Sequence, residues 1–305
     1  MAKRIVVSGA SGLIGSKLVT TFEERGWSVH RLVRSRPPDG SRDIFWDYTT
    51  GEIDAGRLEG MDAVVHLAGK PLDEERWTSE IKAAVYASRI EGTNLVSTTL
   101  ARLSSPPRVL ISASATDYYA DSETPIDETS GRPGEGFVSE MCRDWEAATE
   151  PARQAGIRVV NIRIPSVLAA GGHSILAAFL PLFRLGIGPI LGDGAQLMCF
   201  ISRDDLIRAI EHLIAHEEIT GPVNVLAPEP VSNRDFAMTL GRILRRPVFV
   251  RIPAWLLRLA MGEVAEAILA GDTLLRPGKL LASGFRFDHA DLDGALRHEL
   301  SLVQR

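Results

Sequence analysis

Residues 8–15 read SGASGLIG, so Gly9, Gly12 and Gly15 recur at every third position. That spacing suits a turn that cradles a diphosphate. The first glycine permits a tight turn, the second lets the backbone approach phosphate oxygens, and the third lets a helix pack close to the preceding strand. Ser11, Leu13 and Ile14 would then lie at a helix N-terminus, where free N–H groups and the dipole favour an anion. A glycine-rich turn of purely structural use is the alternative. The apolar run before it and the helix-like run after it favour the nucleotide reading. The end of the next apolar run, HRLVRSR (30–36), selects the nucleotide. A carboxylate there would receive the ribose 2′-OH of NAD, but Val33 occupies the position, followed by Arg34, Ser35 and Arg36. Cations at this point suit a 2′-phosphate, so the expected cofactor is NADP(H). The competing reading leaves both arginines as solvated loop residues.

The totals narrow what such a turn serves. With 305 residues, 45% apolar and 24% charged, the chain has the make-up of a globular protein with a sizeable core. A net charge of −5 argues against a general nucleic-acid binder. Cys142 and Cys199 are the only cysteines, which suits a reducing compartment, and no Cys/His cluster suggests a metal. The N-terminus, MAKRIVVSGASG, has no signal-peptide character, and no apolar run is long enough for a membrane span. A cytoplasmic protein with a small-molecule substrate, no nucleic acid and no membrane partner is expected.

Strand-like and helix-like segments alternate through the first two thirds of the chain. Strands are expected at 4–9, 28–34, 43–47, 62–69, 108–115 and 158–164, and helices at 11–26, 79–103 and 139–156. The alternation implies an α/β fold, a Rossmann-like doubly wound parallel sheet with helices on both faces. After Pro165 glycine and proline become dense. A helix at 204–217 and a strand at 222–227 follow, and the chain is mostly helical from about 230. The expected division is a Rossmann domain over 1–165 that also receives parts of 196–228. A smaller, mostly helical substrate lobe takes 166–195 and 229–305. The segment 255–271, WLLRLAMGEVAEAILAG, reads as an amphipathic helix packed on its own core or on a second copy in a homodimer.

Together, SGASGLIG, HLAG (66–69), SRIEGT (88–93) and ISASATDYY (111–119) resemble the extended short-chain dehydrogenase/reductases, relatives of nucleotide-sugar epimerases. WDYTTGEID (46–54), CRDWEAA (142–148), PLFRLGIG (181–188), GPVNVLAPEPVSNRDFA (221–237) and GFRF (284–287) sharpen this to the YfcH-type epimerases with their extra C-terminal domain. The resemblance implies that Leu67, Ala68 and Gly69 line the cofactor, together with Ser112 and Ala113. It implies that Ser114 is the catalytic serine, bonding a substrate carbonyl or hydroxyl, and that Pro165 flanks the nicotinamide.

Typical members carry Tyr-x-x-x-Lys on the helix after the fifth strand, where the lysine charge lowers the tyrosine pKa. Here that register falls on Val138 and Cys142, within FVSEMCRDWE. A cysteine is never a cation, and it reads as a small buried residue. Tyr118 becomes the expected catalytic phenol beside Ser114, with Tyr119, Lys70, Glu140 and Asp117 as further candidates. Aromatic packing between lobes is the other reading of the tyrosine pair. LMCFIS (197–202) replaces a tryptophan-rich segment that ends in histidine in relatives, which makes the pocket less polar. The expected function is an NADP(H)-dependent oxidoreductase or epimerase-like enzyme with a non-standard site. An NADP(H)-binding sensor without turnover, or a non-redox lyase or isomerase, competes with it.

Overall fold

The computed structural model describes residues 3–72, 77–172, 174–269, 271 and 273–303. An eight-stranded sheet forms its centre. The strands are β1 (Arg4–Ser8), β2 (Ser28–Val33), β3 (Ile44–Asp47), β4 (Glu52–Ile53), β5 (Ala63–His66), β6 (Val109–Ala115), β7 (Arg158–Ile164) and an edge strand, Gly221–Asn224. Across the sheet the order is the edge strand, β7, β6, β5, β1, β2, β3, β4. Every neighbouring pair is parallel except β3 with β4. The near-continuous apolar runs of β1 and β5 follow from this, because helices cover both faces.

One face is closed by α1 (Leu13–Glu24) and α6 (Arg203–Ala215), the other by α2 (Ser79–Leu100). Leu18 and Phe22 of α1 are fully buried against Ile5 and Val7. Burying a side chain of this kind stabilises by about 1.5–3 kcal/mol. On the opposite face Val96 and Leu100 of α2 pack with Val6, Val64, Trp46 and Leu58.

Two expected helices are broken, and each break has a local cause. The segment 139–156 divides into α3 (Phe137–Ala147) and α4 (Glu150–Gln154), with Pro151 in the first turn of α4. Proline has no N–H to continue an earlier helix but fits the start of a new one. The segment 255–271 divides into α8 (Ala254–Met261) and α9 (Val264–Leu269). Gly262 between them has φ +62°, a left-handed conformation that a glycine adopts freely. Ala270 lies outside the described residues. Trp255 of α8 is exposed, on the face that the homodimer expectation used.

Beyond β7 a second core forms around Leu180 and Phe183 of α5 (Ile175–Arg184), Phe236 and Leu240 of α7 (Asn233–Leu244), and Leu296 of α11 (Leu292–Val303). Three two-stranded pairings accompany these helices: Ser166–Leu168 with Phe200–Ser202, Pro189–Leu191 with Val250–Ile252, and Leu197–Met198 with Val231–Ser232. No helix among the described residues is long and apolar enough to cross a membrane.

Candidate active site

The strand order reverses at β1, with β5 on one side and β2 on the other. At such a reversal the connections diverge and leave a crevice at the carboxyl ends of the strands. The glycine turn opens directly onto it. Gly9 has φ +66°, and a Cβ there would stand 2.9 Å from the Leu67 carbonyl carbon and oxygen. A Cβ on Gly15 would stand 2.2 Å from the Gly9 carbonyl oxygen. Neither position has room for a side chain. Gly12 is the N-cap of α1; no side chain caps the helix and no acid occupies its first turn. The exposed Ser11 and Gly12 and the half-buried Leu13 and Ile14 therefore surround a bare helix N-terminus. These are the requirements of a dinucleotide diphosphate, so the residues fit the cofactor read from the sequence.

Ser8 clamps the turn to the β5 segment. Its Oγ accepts the N–H of Leu67 at 3.0 Å and of Ala68 at 3.1 Å. With its acceptor sites occupied, the hydroxyl proton goes to His66 Nδ1, 2.8 Å away. His66 therefore carries its own proton on Nε2. The ring is fully buried, meets Trp46 edge to face at 5.6 Å, and has its pKa pushed down by burial to about 4. It is a neutral structural group.

At the end of β2, Arg34 and Ser35 are exposed, and the Arg34 charge helps to lower the carboxyl of Asp47 at the end of β3. Arg36 is engaged elsewhere. Its Nη2 meets Glu52 Oε2 at 2.7 Å and its guanidinium covers the Phe45 ring at 4.3 Å. Of the two arginines read as phosphate anchors, Arg34 is the one left available.

The far end of the crevice is built from charged side chains. Ser114 of β6 is 3% exposed, and its Oγ donates to Glu146 Oε1 of α3 at 2.8 Å. Glu146 also receives Arg163 of β7 through Nε at 2.7 Å and Nη2 at 2.8 Å. Ser114 and Arg163 are cross-strand partners, which brings the hydroxyl and the guanidinium to one carboxylate. Burial works to lower the Arg163 pKa, but the bidentate pair with Glu146 outweighs it and holds the group above its usual range. The guanidinium lies 3.5 Å from the centre of the Tyr118 ring and 4.7 Å from that of Tyr119. Ser112 and Ala113 are enclosed in the sheet, and Pro165 is half-buried beyond β7.

The tyrosines divide. Tyr118 is half-buried beneath Arg163. Tyr119 turns away from the crevice into an apolar cluster with Leu226 and Leu275, and its OH donates to Asn224 Oδ1 at 2.8 Å. Burial pushes its pKa up to about 12. Tyr119 packs in this cluster, while its ring stays beside Arg163. Cys142 is fully enclosed, and burial raises its thiol to about 12, so it is neutral. Val138 is half-buried and Glu140 is exposed. Lys70 contributes backbone groups: its N–H donates to Ser88 Oγ at 2.9 Å and its carbonyl accepts from Arg89. Asp117 is exposed, while neighbouring protein atoms desolvate its carboxyl and raise it above the usual range. Its charge is felt by both Cys142 and Cys199. Among the described residues no group of three or more His, Cys, Asp or Glu side chains could hold a metal ion.

Glu146, Arg163 and Arg89 escaped the sequence reading as site residues. One signal for Arg163 was available: a charge inside the apolar strand RVVNIRI asks for a buried partner.

Comparison with known proteins bears on this arrangement. A family model described as the NAD dependent epimerase/dehydratase family matches residues 5–225, and a domain of unknown function, DUF1731, matches 252–299. The epimerase family protein Mb2239 of Mycobacterium bovis is 38% identical over 298 residues, covering 97% of each chain. The epimerase family protein YfhF of Bacillus subtilis is 30% identical over 295 residues, covering 96% of each. The crystal structure of human epimerase family protein SDR39U1 (isoform 2) with NADPH superposes with a TM-score of 0.88 at 30% identity, covering 98% of this chain and 99% of that one. A Bacillus cereus UDP-glucuronic acid 4-epimerase, solved with UDP-glucuronic acid and NAD, has a TM-score of 0.76 at 18% identity and covers 99% of each chain; it shares the fold.

Proposed function

We propose that this chain, which belongs to the NAD dependent epimerase/dehydratase family and has an epimerase-like short-chain dehydrogenase/reductase fold, is an NADP(H)-dependent oxidoreductase or epimerase-like enzyme. Its substrate is a small carbonyl or hydroxyl compound. The observation that carries the reading is the bare helix N-terminus behind Gly9 and Gly12, open to the crevice where the strand order reverses. Gly9, Ser11, Gly12, Leu13, Ile14 and Gly15 would hold the diphosphate. Leu67, Ala68 and Gly69 would line the middle of the cofactor and Pro165 its nicotinamide end, with Ser112 and Ala113 enclosed in the wall behind it. Arg34 would receive the 2′-phosphate, with Ser35 and Arg36 beside it. The human relative was solved with NADPH, which supports this choice.

A bound nicotinamide supplies a two-electron carrier. The chain's own residues supply orientation and protons. Ser114 directs its hydroxyl proton to Glu146, which leaves Oγ as an acceptor for a substrate hydroxyl. Tyr118, held face-on by Arg163, walls the same corner. Asp117, whose carboxyl desolvation raises above the usual range, is a candidate to take and return a proton. The second reading, an NADP(H) sensor without turnover, draws on one observation: a neutral, sealed Cys142 stands in the lysine register.

Titration with NADPH and NADH, followed by nicotinamide fluorescence, tests the proposal. The expected result is tighter binding of NADPH. Arg34→Ala should weaken NADPH by about tenfold and leave NADH unchanged, whereas Arg36→Ala should change either by less than about twofold. Binding of neither nucleotide sinks the cofactor reading.

A further inference from the structure

No step proposed above uses Arg89, yet the fold encloses it. It lies within α2 and is only 8% exposed. An arginine is almost never enclosed without an opposite charge beside it. Among the described residues no carboxylate pairs with this one, and the thiol beside it, Cys142, is neutral. Its Nη1 donates to the Lys70 carbonyl at 2.8 Å and to the Val85 carbonyl at 3.3 Å. Nε is sealed from solvent and has no partner. Nη2 makes no hydrogen bond among the described residues. The guanidinium carbon stands 5.1 Å from the centre of the Trp145 ring. Burial lowers its pKa to about 10, so it remains a cation at neutral pH. An enclosed cation with its Nε–Nη2 edge unused destabilises the ligand-free protein.

The location gives that edge a use. A Cβ on Gly69 would stand 3.3 Å from the Arg89 guanidinium carbon. The charge therefore lies immediately behind an exposed glycine that closes HLAG, on the rim of the crevice. Its other neighbours, Cys142 and Trp145, belong to α3, and Cys142 holds the register in which related enzymes carry lysine. Related enzymes thus bring a cation to this corner from α3; here one arrives from α2.

We infer that Arg89 replaces the absent lysine as the cation at the nicotinamide end, where the Nη2 end of that edge, the part not sealed from solvent, donates to a ribose oxygen of the cofactor. This rests on the NADP(H) reading above. A guanidinium stays charged when enclosed where an ammonium loses its proton more readily. With the cation supplied from α2, α3 is free to carry a neutral thiol. Arg89 acts as a binding and positioning residue.

The test compares NADPH with 2′,5′-ADP, which lacks the nicotinamide half. Arg89→Gln keeps a donor for the Lys70 carbonyl and removes the charge. It should weaken NADPH by about tenfold or more and change 2′,5′-ADP by less than about twofold. Arg89→Lys should recover part of the NADPH affinity, and it serves as the probe if the glutamine variant does not fold. Equal weakening of both ligands, together with a lowered melting temperature, would make Arg89 a structural support of the 67–70 segment and overturn the inference. So would unchanged NADPH affinity in a folded variant. Wild-type protein that binds neither ligand refutes the cofactor reading itself.

Discussion

The two ends of the crevice are made from different materials. At the diphosphate end the surface is backbone: a glycine turn, a bare helix N-terminus and the N–H groups of Leu67 and Ala68 bound to Ser8. At the other end it is a set of polar and charged side chains from β6, β7 and α3, joined through Glu146. Backbone surfaces tolerate sequence change except at glycines. Side-chain networks fail when one member is lost, because the survivors remain buried and unpaired. The diphosphate end is the portable part of the fold; the reactive end is where this chain differs from enzymes with Tyr-x-x-x-Lys.

The contrast is broken most sharply at Glu146. Glu146→Ala leaves Arg163, whose side chain is 3% exposed, without its counter-charge. A loss of about 3–5 kcal/mol is expected in urea unfolding. A loss below about 1 kcal/mol would show that the network is not the framework of that end. A somewhat smaller effect belongs to the diphosphate end and to acid. His66 is neutral when folded because burial lowers its pKa from 6.5 to about 4. The unfolded chain binds the proton first, so stability falls as pH drops from about 6.5 towards 4. The loss reaches about 3 kcal/mol at the foot of that window. Stability measured against pH should show this slope, and His66→Gln should flatten it; an unchanged slope would mean that another group dominates. The smallest effect sharpens the boundary of the reactive end. Tyr119→Phe removes one buried hydrogen bond to Asn224 and should cost about 1 kcal/mol without changing NADPH affinity. A large change in affinity would return Tyr119 to the site.

The same contrast explains what could be read from the sequence. Glycine spacing is local, and so is the apolar run of β7, whose limits at 158 and 164 match the expectation. Helix breaks were missed where the pattern of apolar residues ran straight through Pro151 and Gly262, since periodicity reports a face and not continuity. Cys142 could be read as buried and inert from its chemistry alone. Glu146 and Arg163 are 17 residues apart in different elements, and Ser114 and Glu146 are 32 apart. No spacing rule connects such residues; the register of β6 with β7 does. Arg89 was hidden for another reason: within SRIEGT it reads as an ordinary helix residue until the loss of lysine at position 142 is placed beside it in space.

The hydrogen bond from Tyr119 to Asn224 joins residues 105 positions apart and fastens the corner after β6 to the last strand of the sheet. The glycine turn and its partners at Ser8, His66, Leu67 and Ala68 are all present once residue 69 has been made. The two ends are therefore separated in time. During synthesis the glycine turn and the β5 segment can meet first, through contacts that span 58 to 60 residues. The reactive corner waits for the edge strand to arrive and close a much longer loop. On the proposed function, the place for the cofactor would form before the corner that meets the substrate.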